Sequence, residues 1–101
     1  MNKIIENKLD ELKQLCLKYD VKTMYLFGSA CSDEFHDNSD IDILISFKEI
    51  SFDKYTDNFF NLYNDLSVLL NRKIDLLTER SLSNPYFIES IEETKTLLYA
   101  A

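Results

Sequence analysis

Apolar residues recur at three- and four-residue steps along the first fifth of the chain. Ile5, Leu9, Leu12, Cys16 and Tyr19 fall on one stripe, with lysines and acids between them. That spacing predicts a helix over 3–18 with one buried face, ended by Tyr19-Asp20. The next run, Lys22 to Phe27, is rich in strand formers and short enough for a buried strand. Gly28-Ser29 breaks it, and a short helix is expected to follow. His36-Asp37-Asn38-Ser39 is turn chemistry. Asp40 to Phe47 reads as a second strand, first alternating and then continuously apolar.

Tyr55, Phe59, Leu62, Tyr63, Leu66 and Leu70 set the buried stripe of the longest helix, over 54–71. Lys73 to Thr78 is a third strand. Ser83-Asn84-Pro85 has the chemistry of a helix start, a polar cap followed by proline. That helix runs to about Glu93 and is expected to bury Phe87, Ile88 and Ile91. Thr96–Tyr99 fits a last short strand or one more helical turn, and the strand is taken. The alternation of helices and strands predicts an α/β fold, a small mixed β-sheet covered by helices, as a single domain over 1–101.

Composition narrows the functions. The chain is 46% hydrophobic and 13% aromatic, which is globular. Apolar runs stop at about five residues, too short to span a bilayer. The start, Met1 to Glu6, has acids early and no signal-peptide core, so the expected location is cytoplasmic. The net charge is −7, and the one close basic pairing is Arg72-Lys73. Direct binding of a polynucleotide, which needs a basic face, is not expected. Cys16 and Cys31 make no CxxC or Cys/His cluster, so zinc and disulfides are not expected either.

The chemistry concentrates between residues 28 and 42. The chain holds one glycine, Gly28, at the end of an apolar strand. About seven would be ordinary for this length. Gly28 reads either as a turn residue needing positive φ or as a place where a ligand approaches backbone. Ser29 can cap a helix start, whose free amides suit a phosphate. Asp40 and Asp42 are two apart in a strand and share a face, where a divalent cation would relieve their repulsion. Read alone, this Asp-x-Asp is weak evidence for a metal and reads first as a polar turn, with Ser39 and Asp40 as local caps. Asp75 is a third acid, set between Ile74 and Leu76 on a later strand. Such an acid is either an outward-facing edge residue or a further metal ligand.

The pattern Gly28-Ser29, then Ser39-Asp40-x-Asp42, then Asp75 resembles the minimal nucleotidyltransferases of the DNA polymerase β superfamily. It is most similar to the MNT antitoxins paired with HEPN-domain toxins. The resemblance covers nearly the whole chain, including Arg72 to Leu76 and the Asn84-Pro85 helix. It implies a nucleotidyltransferase fold with Asp40, Asp42 and Asp75 as catalytic and magnesium-binding residues. Gly28, Ser29 and Ser39 would bind the nucleotide. It further implies that AMP passes from ATP to a tyrosine of a partner HEPN ribonuclease toxin, silencing it. The domain could act as a homodimer or in a hetero-oligomer. One departure is plain. The family commonly follows Gly-Ser with Arg-Ala-Arg-Gly, where this chain has Ala30-Cys31-Ser32-Asp33. Lys22, Lys48 or a partner's basic group would have to replace that charge. A second reading is therefore a domain that neutralises its partner by contact, without turnover. A third, transfer to a small molecule, ranks last because the chain has little room to hold such an acceptor.

Overall fold

The computed structural model describes residues 3–28 and 40–101. The first helical stretch is split. Helix α1 covers Lys3–Glu6 and α2 covers Leu9–Lys18, with a turn at Asn7-Lys8 between them. The predicted stripe is nonetheless the buried one: Ile5, Leu12 and Cys16 are fully enclosed and Tyr19 nearly so. Strands β1 (Val21–Phe27) and β2 (Ile41–Phe47) follow, then α3 (Phe52–Leu70), β3 (Ile74–Thr78), a 3-10 turn at Glu79–Ser81, α4 (Pro85–Thr94) and β4 (Thr96–Ala100). The last segment is thus a strand. The short helix expected after Gly28, with Cys31 and His36, lies outside the described residues.

The four strands form one mixed sheet in the order β3-β2-β1-β4. β1 is antiparallel to both its neighbours, whereas β2 and β3 run parallel, joined by α3. Parallel neighbours need such a crossover, and α3 supplies it. Ser51 caps the helix by accepting from the Lys54 amide, and Asn71 ends it in a left-handed turn.

The two faces of the sheet differ. Met24, Leu26, Ile41, Ile43, Ile45, Ile74 and Leu76 point to one side and pack with Leu12, Cys16, Leu62 and Leu66 of α2 and α3. Tyr25, Phe27, Leu44 and Leu77 point to the other side, where α4 contributes Ile91. This second layer is thin. Phe87 stands edge-on to Phe27 but stays 42% exposed, and Ile88 is only half-buried, so the expected burial of Phe87 does not occur. The physical reason is coverage: one ten-residue helix spans only part of that face. Among the described residues no helix is long and apolar enough to cross a membrane.

Candidate active site

The uncovered part of the thin face holds the acids. Alternation along β2 places Ile41, Ile43 and Ile45 in the core and therefore turns Asp42 to the α4 side. Alternation along β3 does the same to Asp75, between buried Ile74 and Leu76. The parallel register then makes Asp42 and Asp75 direct partners. Asp40 lies just before β2. The amide of Ile41 donates to the carbonyl of Lys73 at 3.1 Å, which carries the pairing back toward Asp40. Continuing the register by one residue sets Asp40 beside Lys73, and the Lys73 Nζ is 3.9 Å from the Asp40 Oδ2.

Gly28 closes the site on the β1 side. Phe27 pairs with Asp42, so the next residue passes directly over the Asp42 carboxylate. Gly28 has φ of +72°, the left-handed region, and a Cβ built there would collide with Asp42 Oδ2 and lie 3.2 Å from its Cγ. The turn reading of this glycine therefore holds, and its missing side chain leaves room for the Asp42 carboxylate. Ser29 and Ser39, the other expected nucleotide contacts, lie outside the described residues.

Asp42 carries the electrostatic cost of this arrangement. Partial burial, and then the charges of Asp75 and Asp40, push its carboxyl up to about 6. A group in that position is stabilised by a proton or by a cation. Among the described residues no three His, Cys, Asp or Glu side chains converge into a ready-made metal cage. The donor set still fits magnesium, which takes a few carboxylates and completes its shell with water and substrate phosphates. Asp42 and Asp75 face each other for that role, and Asp40 can join by leaving Lys73.

The cations expected to compensate the phosphate loop are elsewhere. Lys22 opens β1, and Lys48 follows β2. Each is six residues of extended chain, roughly 20 Å, from Gly28 or Asp42. Lys73 is a basic residue that reaches Asp40. The sequence did hold a signal for it, since Lys73 precedes Asp75 by two positions in a strand pattern.

Residues 10–101 match the family model described as polymerase beta, nucleotidyltransferase. The chain belongs to this nucleotidyltransferase family. It is 44% identical over 94 residues to "Putative protein adenylyltransferase MJ0126" of Methanocaldococcus jannaschii, covering 92% of this chain and 89% of that protein. A toxin–antitoxin crystal structure with AMP-PNP superposes with a TM-score of 0.71 at 23% identity, over 92% of this chain and 73% of the other. A structure of the tri-AMPylated Shewanella oneidensis HEPN toxin in complex with its MNT antitoxin superposes with a TM-score of 0.66 at 19% identity, over 95% and 72%. At these identities the two structures speak to the fold, which is that of a minimal nucleotidyltransferase. The exposed corner of the sheet holds adjacent carboxylates, with Asp42 half-buried beneath Gly28 and Asp75 exposed.

Proposed function

We propose that the protein transfers AMP from ATP to a hydroxyl of a partner protein, a tyrosine of a HEPN-type ribonuclease toxin, and so acts as its antitoxin. The observation that carries this reading is the Asp42–Asp75 pair beneath Gly28, with Asp40 one rung away. The resemblance to a protein named as an adenylyltransferase supports AMP as the group transferred. The likeness to the complex of an AMPylated toxin supports the partner.

Asp40, Asp42 and Asp75 would hold magnesium, which when bound supplies positive charge against the phosphates and lowers the cost of ionising the attacking hydroxyl. The chain's own residues do the rest. Gly28 would expose backbone to the triphosphate, and Ser29 and Ser39 are the further nucleotide contacts of this reading. Asp75 is exposed at the open edge of the site, where an acceptor hydroxyl can enter, and its carboxylate takes the hydroxyl proton. The hydroxyl oxygen bonds to the α-phosphorus, the bond from that phosphorus to the bridging oxygen breaks, and pyrophosphate leaves. Below pH 6 a proton on Asp42 competes with the cation, so activity falls there.

Contact-only neutralisation is favoured by one observation: no lysine or arginine stands between Lys22 and Lys48. The intact mass of the co-expressed partner separates the readings. Added AMP units on the partner, absent when Asp75→Asn is co-expressed, support transfer. An unmodified partner that is still neutralised supports contact alone.

A further inference from the structure

We propose that Lys73 grips the triphosphate of the incoming nucleotide, supplying from just before β3 the positive charge that the loop after Gly28 lacks. This rests on the nucleotidyl-transfer reading and adds a positioning residue to it.

The charge problem is visible in the chain itself. Residues 23–47 contain no lysine or arginine, yet include Asp33, Glu34, Asp37, Asp40 and Asp42. A nucleoside triphosphate entering over Gly28 brings further negative charge. Magnesium offsets part of it, and a side-chain cation must face the β- and γ-phosphates for the rest. Lys22 and Lys48 are at the far end of the sheet. Lys95 sits with its Nζ 2.8 Å from Glu92 and over the Tyr25 ring, so it is engaged on α4. Lys73 instead stands at the carboxylate edge, just before β3 and two residues ahead of Asp75, with its carbonyl accepting from the Ile41 amide and its Nζ 3.9 Å from Asp40.

Its present contact is easily exchanged. The Lys73 side chain is 78% exposed, Asp40 is 44% exposed, and 3.9 Å is long for an ion pair. Such a pair holds little energy. When Asp40 turns to a cation, the ammonium loses its partner and can take a phosphate oxygen with little rearrangement. The two rungs then divide the work. Asp42 and Asp75 face the reacting phosphorus, while Asp40 and Lys73 face the departing pyrophosphate. An ammonium binds as a point charge on a flexible stem, so arginine at this position keeps the function.

The test is calorimetry on the full chain with magnesium, comparing AMP-PNP with AMP for wild type, Lys73→Ala and Lys73→Arg. Lys73→Ala should weaken AMP-PNP binding about tenfold and leave AMP nearly unchanged, because AMP lacks the phosphates that Lys73 holds. Lys73→Arg should restore most of the affinity. Magnesium binding without nucleotide should be unchanged or tighter in Lys73→Ala, since a positive charge has left Asp40. Thermal melts confirm folding of each variant. If Lys73→Ala binds AMP-PNP like wild type, or loses AMP and AMP-PNP equally, the proposal is overturned. A lysine that merely neutralises Asp40 gives that first result. Wild-type protein that binds neither nucleotide overturns this proposal together with the reading beneath it, whereas normal wild-type binding with an indifferent Lys73→Ala overturns this proposal alone.

Discussion

Asp42 is the residue where function and stability oppose each other most directly. Its carboxyl is pushed up to about 6 in the fold and returns to about 3.8 when the chain unfolds. A raised carboxyl favours the folded state most when protonated. That contribution is complete below pH 4 and is lost as pH rises through 6. Asp42→Asn removes the charge, so it should stabilise the protein at pH 8 by on the order of 1–2 kcal/mol and change little at pH 4. Denaturant melts of both proteins at the two pH values check this; an equal gap at both would contradict it. Gly28→Ala should act in the opposite sense. Positive φ and the collision with Asp42 should cost at least about 1 kcal/mol and abolish AMP transfer. A melting temperature and an activity assay together measure it, and an active Gly28→Ala would refute the close approach. Both residues were legible from sequence by exclusion: a single glycine in the chain, and acids where an apolar strand should continue. What sequence could not supply was the partner across the sheet. The pairing of Asp42 with Asp75, and of Asp40 with Lys73, depends on a parallel register set by three-dimensional packing.

At the scale of elements, periodicity located the helices and strands because each buries one regular face. It missed features that break the regularity for a local reason. The first helix divides at Asn7-Lys8, and α4 buries Ile91 fully but not Phe87. Asn58 is the clearest case. It is a polar residue on the inward face of α3, where the apolar stripe drew attention to Phe59 instead. Its Nδ2 donates to the Tyr19 carbonyl at 2.8 Å and to Asp20 Oδ2 at 3.3 Å. Asp20 has φ of +59°, an uncommon conformation for a residue with a Cβ. Lys54 holds the same carboxylate at 2.9 Å, and this contact, more than any other, keeps the Asp20 carboxyl below its usual range. The turn between α2 and β1 is thus fastened by α3, and with it the starting point of β1. Asn58→Ala should destabilise by about 1–3 kcal/mol, because a buried carbonyl loses its donor. Urea unfolding measures this, and a change below about 0.5 kcal/mol would show that the turn holds without it.

For the whole molecule, the mixed sheet explains why the site lies where it does. The helices α2 and α3 take one face completely, and α4 takes only part of the other. Asp42 and Asp75 therefore face each other at an open corner, with Asp40 one rung away. The family match over residues 10–101 agrees with the fold. The alternation of elements made this fold readable from sequence, and the spacing from Gly28 to Asp42 pointed to the candidate site. The missing basic charge was readable too, but which lysine lies beside the acids was not. Lys22 and Lys48 flank the motif in sequence and end at the wrong side of the sheet. Lys73, thirty-one residues beyond Asp42, arrives beside it through the α3 crossover.

In the proposed function these acids carry AMP transfer to a partner protein. The direct measurement is incubation of the purified protein with magnesium, ATP labelled on the α-phosphate and a HEPN-type partner. Label should appear on the partner with the wild-type protein and vanish with the double variant Asp40→Ala, Asp42→Ala. Label that persists with the double variant, or never appears with wild type, would contradict the account.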